Sequence, residues 1–215
     1  MKLDFLEILL PMLFKGLKWT MIIAVLGILF GFIIGALAGF ALQSQNKVAK
    51  GIANVYIWIV RGIPLMVLAM WIYYVIPKLT GVRLSSETAG VITITLNSGA
   101  FISELVRGAL AGIDPGQREA GLALGLSNIQ TLFHIIVPPA FRTMLPGLFN
   151  QFIISVKDTA MLSVIVVNEI TKQIQNYAAL SFKTIQAYTT GAVFYLVLIY
   201  ILILAQKWIE RKMAN

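Results

Sequence analysis

Residues 19–46 read WTMIIAVLGILFGFIIGALAGFALQSQN, 28 positions without a charged side chain between Lys18 and Lys47. About 20 apolar residues in a helix cross the hydrocarbon core of a bilayer, so this stretch alone specifies a span, expected at about 19–42. Inside it Gly27, Gly31, Gly35 and Gly39 recur at every fourth position. That spacing lines them along one side of a helix, where the missing side chains let a neighbouring backbone approach closely. We read the stripe as a helix-packing face with no chemical role.

The composition of the 215 residues extends this reading to the whole chain. Hydrophobic residues make up 59%, charged residues 12%, and the mean hydropathy is +0.86. Soluble domains carry about 25% charged residues, so this chain has too little polar surface to remain in water. The expected class is an all-α integral membrane protein. Five spans of about 20 residues consume roughly 100 positions, which leaves room for loops but not for a separate catalytic domain. Residues 1–215 are therefore expected to form a single transmembrane domain. The absence of Cys excludes disulfides, Cys-ligated metals and a thiol nucleophile, and a single His argues against a His-rich metal site. The net charge of +8 fits Lys and Arg gathered beside anionic lipid. No basic run with interleaved aromatics points to nucleic acid.

Four further spans are expected at about 52–76, 88–110, 143–167 and 184–206. Arg61, Gly62 and Pro64 interrupt the second. The third carries Asn97, Glu104 and Arg107, and the fourth holds Lys157 and Asp158 near its middle. In Lys2–Lys18, Phe5, Ile8, Leu9, Met12 and Leu13 follow a helical period, which suggests an interfacial helix lying against the membrane. Asp4 and Glu7 spoil a signal-peptide reading. With the N-terminus outside, Lys47, Lys50, Arg107, Arg118, Arg142, Lys207, Arg211 and Lys212 fall inside. Lys2, Lys15, Lys18, Lys78, Arg83, Lys172 and Lys183 then fall outside, and eight against seven leaves the orientation open.

The connection between the third and fourth spans, about 112–139 and onward to Arg142, reads GIDPGQREAGLALGLSNIQTLFHIIVPPAFR. Asp114 before Pro115 is a helix start, Gly125 a helix stop, and Ser127 the cap of a second helix running toward Pro138 and Pro139. On physical grounds this short helix is either a docking element for a soluble partner or a structured connector. His134 reads as a surface or packing residue.

Glu119-Ala120-Gly121, Gly125, Ile135 and Val137-Pro138 resemble the EAA motif of ABC importer permeases: EAA, three residues, G, nine residues, I, one residue, LP. Gly121 stands for the second Ala and Val137 for Leu, both small changes. Arg61-Gly62-Ile63-Pro64, the run Gly108–Gln117 and Lys157-Asp158-Thr159-Ala160-Met161-Leu162 are similar to the polar amino acid branch, so the resemblance covers nearly the whole chain in one order. It implies a five-span type I importer permease with the N-terminus outside and the EAA loop and C-terminus in the cytoplasm of a bacterial cell, multi-pass in the inner membrane. It also implies pairing with a second copy or a related permease, an extracytoplasmic amino acid binding protein, and a separate ATPase. The ATPase would bind ATP and Mg and receive a coupling helix formed by Glu119, Ala120, Gly121 and Gly125. The chain itself has no GxxxxGK[ST] segment with which to cradle ATP, so it is not expected to be an enzyme or to hold a cofactor.

Ionisable groups inside a span cost a few kcal/mol unless they are paired or face water. Asn97, Ala100, Phe101, Glu104 and Gly108 share one side of the third span, which suggests a cavity lining. We take Asn97, Ser98, Glu104, Lys157 and Asp158 as candidate substrate-binding residues. Glu104 and Arg107 could instead form an ordinary ion pair, Lys157 and Asp158 could brace the fourth span, and Arg61 could mark a helix end. Two free carboxylates would favour a basic amino acid (arginine, histidine or lysine) over glutamate, and the expected substrate is a basic or other polar amino acid, glutamine included. The main alternative is an ion-coupled secondary carrier using Glu104 and Asp158, although no inverted repeat is visible. A purely structural membrane protein would not need the polar stripe. An intramembrane enzyme would need a nucleophile and base that cannot be read here.

Overall fold

The computed structural model describes residues 4–214, all helical apart from short connections. Its helices are α1 (Phe5–Gln43), α2 (Lys47–Gly62), α3 (Leu65–Thr80), α4 (Ser86–Ala111), α5 (Pro115–Ala123), α6 (Asn128–Ile165), α7 (Ile170–Ser181) and α8 (Thr184–Ala214). Four of them, α1, α4, α6 and α8, are long and apolar enough to cross a membrane, and α2 with α3 forms a fifth candidate bent by 103°. The bend falls at Gly62-Ile63-Pro64. Ile63 is extended there, as a residue before proline prefers, and Pro64 opens α3 without needing an N–H partner.

The packing of α1 against α4 organises the bundle. Gly27, Gly31, Gly35 and Gly39 meet Ile94, Ser98, Ile102 and Val106 in the same order, so the two helices run parallel in register. A methyl group at Gly35 would stand 2.8 Å from the Gly99 carbonyl oxygen, and one at Gly39 would stand 2.9 Å from that of Ser103. Backbone cannot swing aside as a side chain can, so the stripe is the contact that lets α1 and α4 touch.

Residues 5–18 do not lie on the membrane as a separate interfacial helix; they continue into the first span as one 39-residue helix with Pro11 inside. Lys2, where the expected helix begins, lies outside the described residues. Tertiary packing explains the difference. Phe5, Leu9 and Leu13 are buried against Ile170, Ile174, Tyr177 and Ala187, so the apolar face that suggested lipid contact is covered by α7 and α8. Gly16 permits this approach, because a methyl group there would stand 2.8 Å from the Ile170 backbone.

The fourth span also differs from expectation. The helix capped by Ser127 does not stop before the span but runs straight into it, giving a 38-residue α6. A π-turn at Leu132–Ile136 precedes Pro138 and Pro139, and another at Trp71–Val75 precedes Pro77. A proline ring collides with the carbonyl four residues earlier, and the wider turn relieves that collision. α-Helical geometry ends at Asp158, followed by 3₁₀ turns over Thr159–Ile165, so Lys157 and Asp158 sit at a helical transition.

Gly35→Leu is expected to prevent the α1–α4 contact and abolish assembly. Gly35→Ala should cost about 1–3 kcal/mol. Gly51→Ala in α2, where nothing lies within 4 Å, should be neutral or stabilising by up to about 1 kcal/mol. Thermal unfolding in detergent followed by tryptophan fluorescence measures all three.

Candidate functional site

The polar residues of the membrane interior gather where α4 and α6 cross. Asn97 Nδ2 of α4 donates to Asp158 Oδ2 of α6 at 3.3 Å, and one end of the pairing register is set there. At the other end Gly147 of α6 abuts Leu105 of α4, so the two helices run antiparallel. Asn97 is buried and Asp158 half-buried. Asp158 Oδ1 has no protein donor among the described residues, which leaves an acceptor open.

Two α6 residues that the sequence reading passed over complete this stripe. Gln151 and Ser155 lie seven and three positions before Asp158, on the same side of the helix. They are 4% and 0% exposed, yet Gln151 Nε2 and Ser155 Oγ have no hydrogen-bond partner among the described residues. Their spacing from Asp158 was the available signal. It went unused because uncharged polar residues in a span do not announce themselves as charged ones do.

The other candidates divide. Glu104 Oε2 accepts from Arg107 Nε at 2.7 Å, so the ion-pair reading describes this carboxylate. Ser98 faces away from Asn97. It donates to the Ile94 carbonyl and stands against Gly31, spending its hydroxyl within the α1–α4 contact. Lys157 is exposed and lines a groove of about 600 Å³ with Ala160, Tyr195 and Tyr200, on the side of α8. The guanidinium of Arg61, in the last turn of α2, lies 4.8 Å from the centre of the Phe101 ring.

The coupling candidates form a compact external unit. Asp114 Oδ1 accepts from Gly116 N at 2.8 Å, capping α5. At its other end Gly125 N donates to the Leu122 carbonyl and Leu126 N to that of Gly121, a closure that puts Gly125 at φ 80. Only glycine takes that conformation without strain. Gly121 is buried against Thr131, and a methyl group there would stand 2.7 Å from Thr131 Cγ2 and Ile135 Cδ1. The glycine at this motif position thus lets α5 rest on α6. Ser127 and Gln130 form a reciprocal capping box. Glu119 and Ala120 are exposed, as are the apolar Leu122 and Leu124.

A second buried carboxylate was also missed. Glu169 caps α7, accepting from Thr171 N and Lys172 N at 2.7 Å each and from the Tyr195 hydroxyl at 3.0 Å. Burial pushes its pKa from the ordinary 4.5 up to about 7, against the lowering effect of those donors.

Comparisons with known proteins agree with this architecture. Residues 27–215 match the family described as "Binding-protein-dependent transport system inner membrane component". The chain is 44% identical over 205 residues to the glutamine transport system permease protein GlnP of Escherichia coli (strain K12), covering 95% of this chain and 94% of that protein. It is 34% identical over 204 residues to the L-cystine transport system permease protein TcyB of Bacillus subtilis (strain 168), covering 94% and 87%. A crystal structure of an amino acid ABC transporter with histidines matches at a TM-score of 0.88 and 30% identity, covering 99% of this chain and 100% of that one.

Glu169 generates a pH prediction. Below about 4.5 the group is protonated both folded and unfolded. Between about 4.5 and 7 only the unfolded chain ionises, so stability falls as pH rises, by at most about 3 kcal/mol. The melting temperature is expected to drop more between pH 5 and pH 8 in the wild type than in Glu169→Gln. Equal drops would show the carboxylate to be ionised throughout.

Proposed function

The chain belongs to the binding-protein-dependent transport system inner membrane components, and from that premise we propose how it works as the permease subunit of an ATP-driven importer of polar amino acids. It is a multi-pass inner-membrane component and itself not an enzyme. ATP and Mg are held by a separate ATPase subunit that receives α5. An extracytoplasmic binding protein delivers the amino acid, and a second copy of the chain or a related permease completes the pathway. The N-terminus faces outside, and α5 and the C-terminus face the cytoplasm.

The observation that carries the mechanism is the continuity of α6. One helical run begins beside the seat of α5, at Thr131 and Ile135, and ends at Asp158. Those ends are separated by roughly 40 Å at about 1.5 Å per residue. A displacement of α5 by the ATPase therefore reaches the polar stripe as motion of a single rod. Nucleotide binding would close the ATPases, shift α5 and reopen the α4–α6 crossing toward the other side.

At that crossing Asp158, oriented by Asn97, takes the α-ammonium group of the substrate. Since Glu104 is neutralised by Arg107, one free carboxylate remains, and it suffices for the ammonium group that every amino acid carries. A cationic side chain is no longer required, so arginine, histidine and lysine hold no advantage over glutamine.

Reconstitution of the chain with its ATPase and binding protein tests this. ATP-dependent glutamine uptake is expected, lost by about 10-fold or more in Asp158→Asn. Glu104→Gln should change it by less than about 3-fold. Uptake by the chain alone without ATP would sink the proposal and support an ion-coupled carrier. Gly125→Val forces a β-branched residue to positive φ and should abolish uptake while leaving substrate binding in place.

A further inference from the structure

Gln151 has neither amide atom in a hydrogen bond among the described residues, although the residue is only 4% exposed and its Nε2 atom is sealed from solvent. Ser155 Oγ, one turn closer to Asp158, is buried and unpaired as well. Leaving such donors unpaired destabilises the protein, and replacing them by apolar groups of similar shape is neutral or stabilising. Two of them lie on the side of α6 that carries Asp158, closed to solvent in this conformation, and opening of the α4–α6 crossing would bring them to a ligand that pairs with them.

We propose that Gln151 is a specificity-determining residue, recognising the side-chain carboxamide of a bound amino acid while Ser155 hydrogen-bonds between it and Asp158. This rests on the reading of Asp158 as the ammonium site. Along α6, Gln151 and Asp158 are about 10 Å apart at 1.5 Å per residue. An extended glutamine with a hydrogen bond of about 2.8 Å at each end spans a comparable distance. An amide offers one donor face and one acceptor face, and its full complement is another amide. Arginine and lysine side chains only donate and leave Gln151 Nε2 unpaired. An ionised carboxylate only accepts and leaves Gln151 Oε1 unpaired.

The test uses the full permease–ATPase complex in nanodiscs without binding protein, so that selectivity is this chain's own. Equilibrium binding of L-glutamine and L-norleucine, which has similar length but no side-chain polar group, is measured alongside the melting temperature. The wild type is expected to favour glutamine by about 10-fold or more, as hydrogen-bonding sites reject analogues that lack the group. Gln151→Met should bring the two ligands within about 3-fold of each other and should raise the melting temperature or leave it unchanged. A purely structural glutamine would give the reverse, with the preference intact and the melting temperature lowered, and that result overturns the inference. So would failure of both Gln151→Met and Gln151→Leu to assemble, since it would make the side chain a packing element. Asp158→Asn should weaken both ligands alike. If it weakens neither, the ammonium site itself is misplaced; if it weakens both while Gln151→Met keeps the preference, only the role of Gln151 falls. A wild-type complex that binds neither ligand overturns both.

Discussion

The rest of the molecule depends on the close parallel contact of α1 with α4. In a bilayer the lipid is as apolar as leucine, so helices gain little from hiding hydrophobic surface and associate through tight packing instead. The four glycines of α1 supply that packing by letting the α4 backbone come within reach of their own. The contact also assigns the faces of α4. With Ile94, Ser98, Ile102 and Val106 committed to α1, Asn97 is turned toward α6 and Phe101 toward α2. The polar stripe can exist at the α4–α6 crossing because the apolar and small residues of α4 are already occupied.

The two ends of α1 serve different neighbours. Its glycine half carries α4, while its N-terminal half carries α7 and α8 through Phe5, Leu9 and Leu13. A helix of 39 residues is far longer than a bilayer requires, and the excess is the seat of α7. Glu169 holds the start of α7 at that seat, bonded to two backbone amides and the Tyr195 hydroxyl. The exposed apolar residues of α8, among them Leu196 and Tyr200, have no such partner among the described residues, as expected of a helix that meets lipid or another subunit.

Transmission and recognition share one helix. α6 touches α5 at one end and presents Gln151, Ser155 and Asp158 at the other, so movement and binding are mechanically joined without an intervening loop. Gly121 and Gly125 then have separate duties in one short element. The first lets α5 lie on α6, and the second turns the chain between them.

Most of the helical plan was legible in the sequence because its signals are local. An uncharged run makes a span, glycines at every fourth position make a face, and Asp114 with Pro115 starts a helix whatever surrounds it. The caps at Asp114, Ser127 and Gly125 depend on neighbours within five residues, and they stand where the sequence placed them. What the tertiary structure decided involves partners distant in the chain. The helical period of residues 5–18 could not say whether lipid or α7 would cover it. Adjacent Lys157 and Asp158 looked alike until the angle between them on α6 sent one to a groove beside α8 and the other to Asn97. Glu104 settled on Arg107 three residues away, while Gln151 and Ser155 gained meaning only as unpaired groups in a closed interface. Local geometry follows from backbone hydrogen bonds within a turn or two, but whether a buried polar group is paired depends on what the other helices bring to it.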